Sequence, residues 1–266
     1  MPLLCFASPK GGVGKTTLAA NIADALRRQG RRVLVMDFDP QNTLRLHFGV
    51  PLTDTGGFMV ELPKRPDWRD LVRQTASGVM LLPHGSGDIR GTLGLAHALE
   101  RDPELLAAPM RSILGDPNLL VVADTPPGAS HALNIIAPMA SLVCTVLLPD
   151  ATSAALIPDI ESGRFLGAGT MATLFAGRLR VVLNAVDPNA RLSRAAAETV
   201  ARHIGPRLLG AVARDELVAE ALAAQRLVLD LAPTSQAAED LREIARGIEA
   251  ALPSGPDPFS AGWGAR

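Results

Sequence analysis

Short runs of consecutive apolar residues alternate with helix-spaced apolar residues along most of this chain. Leu3 to Ala7 is such a run, with the unbroken hydrophobicity of a strand covered on both faces. Apolar positions then recur at Leu18, Ile22, Ala25 and Leu26, one face of a helix over Thr16 to Arg28, with Gly30 just past its end. Arg32 to Met36 supplies a second strand. Further strands are predicted at Val79 to Pro83, Asn118 to Ala123, Leu142 to Leu148, Leu179 to Asn184 and residues 207–213. Helices are predicted over about 90–101, 103–115, Thr152 to Phe165, 191–203, 215–224 and 235–250. The pattern weakens over 43–76, where helices are predicted at Gly57 to Leu62 and Trp68 to Thr75, with Trp68 as a packing residue. Strands alternating with helices, with few hairpin signals, predict an α/β fold: a doubly wound, mostly parallel sheet flanked by helices. One domain over 1–252 is expected, and a disordered Pro/Gly-rich tail over 253–266 that carries Phe259 and Trp263.

The join between the first strand and the first helix carries chemistry. It reads Lys10-Gly11-Gly12-Val13-Gly14-Lys15-Thr16-Thr17. Three glycines let the backbone bend tightly and approach an anion closely. The helix that follows adds its N–H groups and the positive end of its dipole. Lys15 can reach the β- and γ-phosphates of a nucleotide, and the Thr16 hydroxyl can ligate Mg²⁺. The usual phosphate-loop pattern, G-x-x-x-x-G-K-[ST], fails at one position: its first glycine falls on Pro9. An extra lysine, Lys10, precedes the glycines instead.

Two further strands end in carboxylates. Asp37 and Asp39, followed by Pro40-Gln41-Asn42, close the second strand. Residues at i and i+2 are expected to point to one side, at the sheet end where ligands bind. One of them can support Mg²⁺ through water and the other can orient an attacking water. The run Asn118 to Ala123 ends in Asp124, a second metal-supporting position. Thr125-Pro126-Pro127-Gly128 fixes the loop beyond, with backbone N–H groups placed to sense a γ-phosphate. Asn184 ends another strand, and an amide offers both donor and acceptor to a purine edge. Guanine reading usually needs Asn-Lys-x-Asp; Ala185 occupies the lysine position, so adenine is favoured, with a plain strand-ending turn as the alternative. Arg214 falls over the expected base pocket. His84 reads as a loop residue, since no carboxylate nearby in sequence would orient it as a base.

Composition narrows the field. Of 266 residues 47% are hydrophobic and 20% charged, a globular balance. The net charge of −1 provides no global field toward nucleic acid or an anionic membrane. Lys10, Lys15 and Lys64 are the only lysines among 26 basic residues, so two of three sit in the phosphate loop, where a planar guanidinium would fit poorly. Cys5 and Cys144 lie inside strand-like runs and are expected to be buried thiols of a reducing compartment. With no signal-peptide pattern and no run of 18 apolar residues, a cytoplasmic protein is expected.

The loop at Lys10–Thr17, Asp37-x-Asp39-Pro40-Gln41 and Asp124-x-Pro126-Pro127-Gly128 together resemble the ParA/MinD family of deviant Walker ATPases. That resemblance, over roughly residues 3–250, implies an ATP-dependent homodimer with ATP·Mg²⁺ held between its subunits. It implies that Lys10 reaches across the interface to the partner's phosphates and that Lys15 binds phosphate in cis. Thr16 would hold Mg²⁺, Asp37 and Asp124 would support it, and Asp39 would position the hydrolytic water. Leu44-Arg45-Leu46, Asp67-Trp68-Arg69-Asp70, Leu81-Leu82-Pro83 and the stretch around Arg214 and Asp215 are similar to the cellulose-synthase-associated branch of the family. That narrower resemblance implies an assembly or localisation factor for cellulose synthase subunits at the inner membrane, with no membrane insertion of its own. Net charge argues against DNA as a partner, although a partition ATPase would bind it through a local basic surface; that role and a nucleotide-binding scaffold with no useful hydrolysis are the alternatives. An iron–sulfur reductase lacks its loop cysteines here, and a related kinase type lacks any tyrosine.

Overall fold

A computed structural model describes residues 2–166 and 175–253. Its centre is an eight-stranded sheet: β1 (Leu3–Ala7), β2 (Arg32–Asp37), β3 (Arg73–Gln74), β4 (Met80–Leu82), β5 (Leu119–Asp124), β6 (Leu142–Leu147), β7 (Leu179–Val186) and β8 (Leu208–Ala213). Their order is β3-β4-β2-β5-β1-β6-β7-β8. Every pairing is parallel except β3 with β4.

The unbroken hydrophobicity of the strands follows from burial on both faces. Leu3, Cys5 and Ala7 of β1 enter one core, with Leu119, Val121 and Ala123 of β5. Leu4 and Phe6 enter the other, with Leu120 and Val122. Helices Ile89–Arg101, Glu104–Leu114, His131–Ile136 and Arg191–Ile204 contribute to the first core. The second is covered by α1 (Lys15–Arg28) and the helix Gln236–Ala251. Asn21, buried on α1, donates to Thr17 O at 2.8 Å and accepts the Val228 N–H at 2.7 Å. It thereby docks a short helix, Val228–Leu231, that the apolar pattern did not reveal.

The order places β1 where the chain reverses direction across the sheet: crossovers run from it toward β2 on one side, and β6 to β8 lie on the other. In such sheets the crevice outside the carboxyl ends of the strands is the ligand position. β1, β5 and β2 end level there, with Phe6 opposite Asp124 and Asp124 opposite Asp37.

Two expected helices are corrected. Trp68 to Thr75 is a short 3-10 turn, Trp68–Leu71, followed by β3, which pairs antiparallel with β4. Asp67 accepts the Arg69 N–H and caps the turn, and the pairing of Arg73 with Leu81 draws the next residues into the sheet. Trp68 packs on the first core, with the Arg69 guanidinium 4.5 Å from its ring. The helix expected to Phe165 is two short ones, Ala151–Ala155 and Ile157–Glu161, with Pro158 in the first turn of the second. Residues 254–266, with Phe259 and Trp263, lie outside the described residues. Cys5 and Cys144 are free and fully buried. No helix among the described residues is long and apolar enough to cross a membrane.

Candidate functional site

The loop after β1 turns through left-handed Gly12 (φ 70°) and Gly14 (φ 89°). Gly14 precedes α1 with no side-chain cap, and the first turn of the helix carries no acidic residue. The leading amides of α1 are therefore left to a ligand or water, and the dipole favours an anion. Val13 is buried and its carbonyl accepts the Asn184 Nδ2–H at 2.9 Å. A Cβ at Gly14 would lie 2.2 Å from Asn184 Nδ2, which would have to move away from Val13 O, and the left-handed backbone strains any other residue there. Gly11 and Gly12 are exposed, while Thr16 and Thr17 are half-buried at the start of α1.

Other strand ends brace this loop. The Thr125 hydroxyl donates to Phe6 O at 2.7 Å, and the Lys10 N–H donates to Ser8 Oγ at 3.2 Å. The Gly128 N–H donates to Ser8 O at 2.9 Å. That bond corrects one expectation: Pro126 and Pro127 have no N–H, and the Gly128 amide is engaged with the chain and does not face a ligand. Ser8 is thus a brace that sequence reasoning missed; a serine beside a proline carries no distinctive signal.

The carboxylates divide into three environments. Asp124 is fully buried, and among the described residues neither of its oxygens makes a hydrogen bond of good geometry, although the Thr16 hydroxyl and the Thr125 N–H stand close. Burial pushes its pKa up to about 7, against the Thr16 hydroxyl, the Lys15 ammonium and the Thr125 N–H, which favour its ionised form. Asp37 is tied up by backbone amides. Its Oδ1 accepts the Asp39 N–H at 2.9 Å and its Oδ2 the Leu44 N–H at 3.2 Å. It staples the loop that Asp39 sits on, because the chain turns back at Asn42, whose N–H donates to Asp39 O. Burial and the neighbouring Asp124 hold its pKa well above the ordinary carboxylate range. Asp39 is half-buried, with Oδ1 accepting the Gln41 N–H at 2.9 Å.

Lys15 is only 6% exposed. Burial lowers its pKa, opposed by the charges of Asp124 and Asp39. Lys15, Thr16, Asp124, Asp37 and Asp39 thus form one neighbourhood at the start of α1. An uncapped helix terminus, a buried ammonium and a buried carboxylate without a well-formed hydrogen bond fit a polyphosphate with a divalent cation, because each would gain the partner it lacks.

Lys10 stands apart. It is half-buried, and its Nζ lies 2.7 Å from Asp150 Oδ2. Asn184 reaches the phosphate loop from β7, within the register shift between Leu183 and Val186, and just before Ala185, a non-glycine residue at φ 56°. Arg214 follows β8, exposed, its backbone N–H donating to Val186 O at 2.8 Å. His84 is buried in the loop after β4, with Nδ1 3.0 Å from Gly85 O. A deeper network had no sequence signal: buried Arg45 donates to Asn42 O, Pro51 O, Asp54 O and Ser86 Oγ. It binds the Asp39 loop to two others.

The family described as "Cellulose biosynthesis protein BcsQ" matches residues 1–247. The cellulose biosynthesis protein BcsQ of Salmonella typhi is 41% identical over 85 residues, 32% of this chain and 34% of that protein. The match thus spans about a third of that relative's length. The chromosome-partitioning ATPase Soj of Thermus thermophilus is 31% identical over 258 residues, 93% of this chain and 95% of Soj. Among solved structures, the septum site-determining protein MinD complexed with Mg-ADP from Pyrococcus horikoshii superposes with a TM-score of 0.74 at 21% identity, covering 98% of this chain and 97% of that one. A variant of Cyanothece McdA in complex with ATP gives a TM-score of 0.70 at 21% identity, covering 97% and 99%. With the family match running nearly the whole length and the fold agreeing, the chain belongs to the cellulose biosynthesis protein BcsQ family, among the ParA/MinD-like P-loop ATPases.

Proposed function

We propose that this protein is an ATP-dependent dimerisation switch that hydrolyses ATP slowly and serves as an assembly or localisation factor of a bacterial cellulose secretion complex. The observation that carries the nucleotide part is the uncapped start of α1 with buried Lys15 beside a fully buried Asp124 carboxylate that makes no hydrogen bond of good geometry among the described residues. Residues 1–252 act as one domain. Gly11, Gly12, Val13, Gly14, Thr16 and Thr17 present backbone amides to the phosphates, and Lys15 neutralises them in cis. Thr16 and Asp124, with Asp37 behind them, would hold Mg²⁺, which would supply positive charge to offset that of the phosphates. Asp39 orients the attacking water. Asn184 and Arg214 flank the adenine. Lys10 serves the phosphates of the second subunit, so hydrolysis and dimerisation are linked through one loop.

The cellulose role rests on the family match and on relatives whose names carry it. Its site of action is the cytoplasmic face of the inner membrane, reached through cellulose synthase subunits. A second reading, a ParA-type partition ATPase on nonspecific DNA, is favoured by the 31% identity to Soj over nearly the full length of both chains. Co-purification with cellulose synthase subunits from the native host, with ATP and with ADP, separates the two. ATP-dependent recovery of those subunits supports the first reading. Their absence, with recovery of DNA that salt removes, supports the second.

A further inference from the structure

Lys10 has a partner within its own chain. Its Nζ lies 2.7 Å from Asp150 Oδ2, 140 residues away, with the two side chains 31% and 37% exposed. Asp150 follows β6, and it is held in place. Its Oδ1 accepts the Ser153 N–H at 2.7 Å, capping the helix Ala151–Ala155, and its own N–H donates to Leu148 O at 2.9 Å. With one oxygen committed to the cap, the other is fixed toward the phosphate loop. Lys10 is likewise fixed at its backbone by the bond to Ser8 Oγ. Although burial raises the Asp150 pKa, bonds from Lys10 and Ser153 outweigh it, and the carboxyl stays below its ordinary value.

We propose that Asp150 is a cis latch on Lys10: the ion pair holds the ammonium on its own subunit, and dimerisation proceeds by exchanging Asp150 for the phosphates bound by a second copy of the chain. This rests on the reading that Lys10 acts across the interface. Asp150 acts through Lys10 and touches no phosphate, so it is a positioning residue. It sets a threshold: a second subunit must offer Lys10 more negative charge than Asp150 does, and a triphosphate does so better than a diphosphate. An ion pair this exposed is weak, contributing a factor of about 1.4 to 5 per subunit. A dimer opens two of them, so the dissociation constant carries the square, about 2- to 30-fold.

Asp150→Asn isolates the latch, because an asparagine oxygen still caps Ser153 while the charge is gone. Two measurements on the full-length chain test it. In the first, the amines are acylated with an N-hydroxysuccinimide ester without nucleotide and read by peptide mass spectrometry. Lys10 should label faster in Asp150→Asn than in the unmodified sequence, with Lys64 unchanged. In the second, the dimer dissociation constant is measured with Mg-ATP by sedimentation. Asp150→Asn should tighten it about 2- to 30-fold, with less difference at high salt, unchanged ATP affinity at protein concentrations where it is monomeric, and reversal by Asp150→Glu. Equal Lys10 labelling overturns the latch. So does faster labelling with an unchanged or weaker dimer. If the unmodified chain forms no dimer with Mg-ATP while Lys10 labelling still rises in the variant, the dimer reading has failed and the contact alone stands.

Discussion

Asn184 Nδ2 donates to Val13 O at 2.9 Å, joining the end of β7 to the phosphate loop across 171 residues of sequence. The amide uses one donor here and keeps its oxygen and second N–H for another partner. A single side chain therefore fixes the loop and stands beside the site where a base would enter. Asn184→Ala should weaken ATP binding about tenfold, roughly 1.4 kcal/mol, and reduce any preference for ATP over GTP. A fluorescent-nucleotide titration with both nucleotides as competitors measures this. Unchanged affinity and selectivity would remove Asn184 from the base site.

Asp124 gives a pH-dependent prediction. Its pKa rises from the ordinary carboxylate value of 3.8 to about 7 on folding. Between those values the folded chain binds more protons than the unfolded one, so nucleotide-free stability falls as pH rises through that window and levels off above it. Asp124→Asn removes the charge that burial opposes. Without nucleotide it should be more stable than the unmodified sequence at pH 8, by more than about 1 kcal/mol, with the difference gone below pH 4. Adding Mg-ATP should reverse the ranking, because only the carboxylate gains a cation. Denaturant melts at both pH values, with and without Mg-ATP, decide it; a variant less stable at pH 8 without ligand contradicts the account.

Lys10→Ala should lose the ATP-dependent dimer yet keep ATP affinity within about tenfold, roughly 1.4 kcal/mol. Lys15 carries the cis contact from its buried position, and Lys10 points away to Asp150. Sedimentation with Mg-ATP and a binding titration at low protein concentration measure the two properties separately. Normal dimerisation of this variant would leave Lys10 without a role across the interface.

DNA binding should be weak at physiological salt, because the chain carries a net charge of −1 and nonspecific binding scales with the phosphates neutralised. A gel shift with ATP over a salt series tests it. Tight binding that falls steeply with salt would promote the partition reading favoured by the identity to Soj.

Most of the sheet could be read from the chain because strands covered on both faces are unbroken apolar runs, as at Leu119–Asp124 and Leu142–Leu147. β3 could not, since its two residues, Arg73 and Gln74, carry no apolar pattern and are strand only through pairing with β4. In the site, residues whose chemistry is local were legible: Gly14, Lys15, Thr16 and Asp124 each follow from a motif at fixed spacing. Residues whose meaning is a distant contact were not. Asp150 caps the helix Ala151–Ala155 through the Ser153 N–H, and nothing in its sequence surroundings points to Lys10. Nor does the sequence announce that both Asp37 oxygens accept the Asp39 and Leu44 amides of its own loop. Ala185 in the left-handed region is a strained position, costing about 1–2 kcal/mol, with no glycine or asparagine to announce it.

The central claim is that one loop couples ATP to dimerisation and that Asp39 lets water end the dimer. Light scattering of Asp39→Ala with saturating Mg-ATP tests it most directly. The account predicts a persistent species of twice the 27.9 kDa of one chain, with turnover abolished. A variant that binds ATP normally and remains at the monomer mass would contradict it.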